Sequence, residues 1–126
     1  MPLTQIALRE GTSEAYRQAI FEGVYQAMRE TFDVPEDDQF MTISEYGAAN
    51  FRFNARYLGI ERSDRLVIIQ ITANNTRTVE KKKSLYREIA ARLGENPGIR
   101  PEDIFINLVE VAKENWSFGH GLAQYA

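Results

Sequence analysis

The amino-acid sequence predicts an α+β fold: a tandem β-α-β repeat forming one four-stranded mixed sheet with two helices on one face. Three observations predict it. Short, β-leaning apolar runs are separated by long segments with apolar residues at helical spacing. A single ungapped shift of 65 positions superposes the two halves. The length, 126 residues, suits a single domain over 1–126, with repeat units of about 2–46 and 67–111.

Leu3 to Leu8 is the first strand, closed by the turn Arg9-Glu10-Gly11. Thr12 or Ser13 caps a helix whose inner stripe is Tyr16, Ile20, Val24, Ala27, Met28 and Phe32, and Pro35 closes that segment. Phe40 to Tyr46 alternates and reads as the second strand. Residues 47–64 are irregular, with a short strand expected at Phe51 to Tyr57. Arg65 to Thr72 carries Leu66-Val67-Ile68-Ile69-Gln70-Ile71, apolar enough to suggest burial on both faces. Thr78 caps a second helix with Leu85, Ile89 and Leu93 inside, ended by Gly94 and Gly98. Ile104 to Val111 is the fourth strand, and a tail runs from Ala112 to Ala126.

The shift places Ile6 on Ile71, and Ile20, Val24 and Met28 on Leu85, Ile89 and Leu93. It also places Asp38-Gln39-Phe40 on Asp103-Ile104-Phe105 and Glu45 on Glu110. Each unit is strand, helix, strand, and a crossover of that length joins parallel strands with right-handed preference. With both helices on one face, the other face of the sheet is bare, which predicts an oligomer packed around a shared centre.

Composition narrows the function. A formal net charge of −3 argues against nucleic acid or an anionic membrane as the main partner. With no cysteine, disulfides, thiolate metal sites and cysteine nucleophiles are excluded. His120 is the only histidine and lacks a cluster of partners, so it reads as a turn residue and no metal is expected. Glu80-Lys81-Lys82-Lys83 reads as a solvated helix face. The start has no basic region followed by an apolar run, and no stretch nears the ~20 apolar residues of a membrane span. A cytoplasmic location is the expectation.

Pro2 is the first candidate for chemistry. A proline is permitted at the start of a strand for structural reasons alone. Removal of Met1 would instead make its nitrogen a secondary amine in a rigid ring. An α-amino group titrates near pH ~7.7–8.0, so it can serve as acid or base at neutral pH without large tuning.

The start Pro2-Leu3-Thr4-Gln5-Ile6, the doubled β-α-β unit and the tail Trp116-Ser117-Phe118-Gly119 together resemble the tautomerase superfamily. Within it, the resemblance is greatest to the malonate semialdehyde decarboxylases. It covers nearly the whole chain. Its most specific pieces are Val34-Pro35 followed by Asp38, the segment Arg77-Thr78-Val79-Glu80 and the Trp-Ser-Phe-Gly tail. The resemblance implies a homotrimer, an amino-terminal catalytic proline and no cofactor. It implies that Asp38 is the catalytic aspartate, holding a water or keeping the amine protonated. Arg77 matches one of two substrate-binding arginines, and a guanidinium can grip a carboxylate through paired hydrogen bonds. Trp116 and Phe118 match an aromatic wall beside the proline, and Tyr125 another pocket aromatic.

The chain departs from that pattern at Asn75, where the decarboxylases carry their second arginine. Asn75 can donate hydrogen bonds to a substrate but brings no charge. Arg52 or Arg56 are candidates to replace the lost cation. The related dehalogenases use a histidine in the first helix, and none stands here. The expected substrate is a small 2-oxo or 3-oxo acid or its enol, bound as a carboxylate. Pro2 would act as acid or base in keto-enol tautomerisation, or as the cation in decarboxylation or hydration. A non-catalytic, ferredoxin-like ligand-binding module is the rival class, and it needs neither a free Pro2 nor Arg77.

Overall fold

The computed structural model describes residues 1–126. The order of elements follows the repeat: β1 (Leu3–Arg9), α1 (Glu14–Phe32), β2 (Met41–Tyr46), β3 (Val67–Asn74), α2 (Val79–Glu95) and β4 (Ile104–Val111). The sheet order is β2-β1-β3-β4, with parallel pairs β1–β2 and β3–β4 and an antiparallel seam between β1 and β3. On that seam Gln5 lies opposite Gln70, its own counterpart under the 65-residue shift. An internal twofold axis therefore passes between these glutamines.

Each helix starts where a hydroxyl can accept from an otherwise unpaired amide. Ser13 caps α1 by accepting from Tyr16 N, and Thr78, its repeat counterpart, caps α2 by accepting from Lys81 N. α1 ends at Asp33 in the left-handed region (φ 55°), whose N–H donates to the Met28 carbonyl. α2 runs through Gly94 to Glu95, one residue beyond the first expected stop. Gly98 (φ 98°) is the residue that turns the chain away.

Both helices bury their stripes on one face of the sheet. Ile20, Val24, Met28 and Phe32 meet Leu85, Ile89 and Leu93 over Ile6, Leu8, Ile69 and Ile71. Burial of each such side chain contributes about 1.5–3 kcal/mol against leaving it in water. The helices approach closely at Gly23, where a Cβ would lie 2.8 Å from Leu93 Cδ2. Thr4, buried on β1, donates to the Met28 thioether.

Three local expectations are corrected. β3 is buried on the helix side only: Ile69 and Ile71 are sealed, but Ile68 is half-buried and Gln70 exposed in a single chain. Its apolar outer residues belong to the open sheet face. No strand forms at Phe51 to Tyr57. Phe51 is buried while its neighbours turn outward, and short 3-10 turns occupy Ala48–Asn50 and Tyr57–Gly59. In the lysine run, Glu80, Lys81 and Lys83 are exposed as expected, but Lys82 is half-buried and pairs with Glu110 at 2.7 Å.

The duplication extends past the fourth strand. The 3-10 turn Lys113–Asn115 falls on Ala48–Asn50 under the same shift. Trp116 and Phe118 then fall on Phe51 and Phe53.

Candidate active site

The parallel pairing within each unit brings the start of β1 beside the turn that feeds β2, so Pro2 and Asp38 are neighbours by topology. Pro2 is buried. The Asp38 turn is fixed by its own N–H to the Pro35 carbonyl and by the Tyr25 hydroxyl, which donates to the Glu36 carbonyl. The antiparallel seam puts the end of β3 beside the start of β1. The chain that follows β3 therefore carries Arg77 to the same corner.

A cavity of about 200 Å³ opens there, lined by Met1, Pro2, Leu3, Phe40, Trp116 and Phe118, with Ser117. The indole of Trp116 stacks on Phe118 at 5.5 Å with 20° between planes, and Phe118 meets Tyr125 edge-on at 5.0 Å. Gln124 pins this wall by accepting from Phe118 N and donating to the Gly119 carbonyl. A further contact was not foreseen: Asn74, only 7% exposed, accepts from Trp116 Nε1 at 2.7 Å. Its signal in the sequence is faint, an amide ending an otherwise apolar strand. Asn75 is exposed, and its backbone N–H donates to the Val111 carbonyl. It does not line the cavity.

The charges at this corner act on one another. The Met1 amine lies 3.7 Å from Asp38 Oδ2. That amine is one residue further out than the nitrogen a chain lacking Met1 would present. Burial holds its pKa below the ordinary α-amino value, Asp38 opposes this, and Arg77 adds to it. The Asp38 carboxyl is pushed up by burial, against the pull of the terminal amine and of Arg77. Its Oδ1 is sealed from solvent and has no hydrogen-bond partner. Such an orphan acceptor is costly unless a donor arrives. Arg77 is anchored rather than free: Nη2 donates to the Phe32 carbonyl at 2.8 Å, and the guanidinium lies 4.7 Å from the Phe32 ring centroid.

Pro2, Asp38, Trp116 and Phe118 are thus assembled in one place, with Arg77 within electrostatic reach and Tyr125 behind Phe118. Arg52 lines a different cavity, beside Arg9, and in a single chain does not stand in for the missing arginine. His120 sits in an exposed turn with φ 59°. No group of three or more His, Asp or Glu side chains is disposed to hold a metal ion.

Two family profiles, both described as tautomerase enzyme, match residues 2–59 and 38–119. The chain is 45% identical to the probable tautomerase YusQ of Bacillus subtilis (strain 168), over 98% of each chain. Its fold superposes on a crystal structure of malonate semialdehyde decarboxylase with a TM-score of 0.91 and 28% identity, covering 98% of this chain and 95% of that one. A fused 4-OT symmetric trimer shares the fold with a TM-score of 0.80 at 20% identity, over 98% and 97% of the two chains.

Proposed function

The chain belongs to the tautomerase superfamily, and from that premise we propose that it works by acid–base chemistry at the nitrogen of Pro2 on small oxo acids or their enols. It is an enzyme of the tautomerase or decarboxylase type. The observation that carries the reading is the placement of Pro2: buried, on an aromatic cavity, beside a carboxylate with an unpaired oxygen.

While Met1 is attached, the Pro2 nitrogen is an amide with no useful basicity. Excision of Met1 makes it a secondary amine. Burial lowers the pKa of an amine and a neighbouring carboxylate raises it, and both act at this corner, as they do on the Met1 amine. Arg77 receives the substrate carboxylate. The wall of Trp116 and Phe118 excludes water and so strengthens each charge interaction inside. Neutral Pro2 takes the proton from an enol oxygen and returns one to carbon. Asp38 offers its unpaired oxygen to the protonated amine or to a water.

A second reading, decarboxylation or hydration of a 3-oxo acid, is favoured by the likeness to malonate semialdehyde decarboxylase. It needs a cationic Pro2 to polarise the carbonyl, a state Asp38 supports and burial opposes. The uncharged Asn75 removes one of the two arginines of that pattern and weighs toward tautomerisation. The assembly that fits is a homotrimer, supported by the open sheet face and by the trimeric 4-OT of the same fold.

Pro2→Ala should lower turnover of a phenylenolpyruvate-type enol by about 10²–10⁴-fold while circular dichroism stays unchanged. Unchanged turnover would remove Pro2 from the mechanism. An intact mass that retains Met1 would do so as well, and would favour a binding module. Turnover of malonate semialdehyde or acetylenic acids, with none of the enol, would select the second reading.

A further inference from the structure

We propose that the chain carries a second, non-catalytic site, for a small carboxylate with a flat apolar body, in the cleft that the internal twofold relates to the Pro2 cavity. The axis sends Trp116 to Phe51, Phe118 to Phe53 and Asn74 to Arg9. The aromatic pair recurs: the Phe51 and Phe53 rings lie 5.9 Å apart at 68°. Where the first cleft holds a buried amide under its indole, the second holds a guanidinium.

Arg9 borders two adjoining cavities. One, of about 400 Å³, is lined by Ala48, Ala49, Phe51, Arg52 and Phe53. The other, of about 310 Å³, is lined by Glu10, Thr12, Tyr16 and Arg65. Asp64 borders both. Arg9 Nη1 is paired with Asp64 at 3.3 Å, but its Nε is sealed from solvent without any partner. Asp64 itself is 79% exposed, so its hold on Arg9 is the weak kind made at a wet surface. Arg52 has no ion pair, and the Arg65 guanidinium lies 5.4 Å from the Tyr16 ring centroid with no carboxylate on it. Exposed Asp64 is thus an internal stand-in for a carboxylate, and a ligand replaces it on Arg9. The two phenyl rings and the alanines accept a flat apolar body beside that charge.

The cleft binds without turning over, because the groups that would react are missing. The counterpart of Pro2 is Val67, an ordinary amide within the chain. The counterpart of Arg77 is Thr12, whose hydroxyl donates to Glu45. The counterpart of Asp38 is Asp103, with both oxygens taken by Ser63.

Benzoate titrated into the intact protein, followed by backbone amide NMR shifts, tests this. Saturable shifts are expected at Ala48, Ala49, Phe53 and Asp64, with benzyl alcohol, which lacks the charge, producing none there. Asp64→Asn removes the competing carboxylate and should tighten benzoate at these residues about two- to five-fold. Arg9→Gln, which removes the guanidinium that receives the carboxylate, should weaken it about ten-fold, as loss of a charge-assisted hydrogen bond does, and binding left as tight as before would overturn the proposal. Shifts confined to the Pro2 cavity, equal response to benzyl alcohol, or binding that Asp64→Asn leaves unchanged or weakens would each overturn the proposal. Neither Pro2 nor Arg77 enters this test, so its failure leaves the catalytic reading untouched.

Discussion

Asp38 and Asp103 occupy the same place in two copies of one unit, yet their surroundings differ. Asp103 is sealed, with Oδ1 accepting from Ser63 N at 2.7 Å and Oδ2 from Ser63 Oγ at 2.6 Å. Asp38 faces a chain terminus and keeps one oxygen unpaired. In the sequence both are simply turn aspartates, because what separates them is the neighbour each meets across the fold. Replacing Asp38 by Asn removes the carboxylate that raises the pKa of the terminal amine. The limb of the kcat/KM pH profile that reports Pro2 should then move to lower pH. This sign holds whether Pro2 acts as base or acid; a limb that stays put or moves up would contradict it. Sequence reasoning singled out Asn75, for its place at the second arginine of the decarboxylase pattern, and passed over Asn74, whose position at the end of an apolar strand is only a faint signal. Asn74→Leu strands the Trp116 N–H at a cost of about 1–3 kcal/mol. Because Trp116 is the only tryptophan, its fluorescence reads the change directly. A red shift and lower anisotropy are expected in Asn74→Leu, while Asn74→Asp, which keeps the acceptor, should retain the native spectrum.

At the scale of elements, strands and helices were legible because period and caps agreed. Ser13 and Thr78 announce the helix starts, and the stripes Ile20-Val24-Met28 and Leu85-Ile89-Leu93 give their inner faces. The segment 47–64 was misread at Phe51 to Tyr57, where alternating aromatics and arginines mimic a strand. Those residues have no strand partner, and only Phe51 is drawn fully inward. The connection from Ser63 to Leu66 is tied to the second unit through Asp103. Asp103→Ala leaves the Ser63 donors unpaired and should lower stability by about 2–3 kcal/mol in urea denaturation, with KM for the enol unchanged. A shifted KM with unchanged stability would mean that Asp103 has a role in the site.

For the whole molecule, the bare sheet face predicted from the repeat is present in the chain. Leu3, Phe105 and Val109 are exposed there among polar neighbours such as Gln5 and Gln70. If this face is the trimer centre, Phe105→Asp buries an unpaired charge at the contact and should give monomers in sedimentation velocity. Undiminished trimers would place the interface elsewhere. The pairing of Gln5 with Gln70 has an older implication. Either half, written as its own polypeptide, could zip onto a second copy of itself with the same rungs. Such a two-chain ancestor would expose two beginnings, each next to its own turn aspartate. Splicing them into one gene would turn the second beginning into an ordinary peptide bond, at Val67. One reactive end remained, and the mirrored hollow was left free to acquire another use.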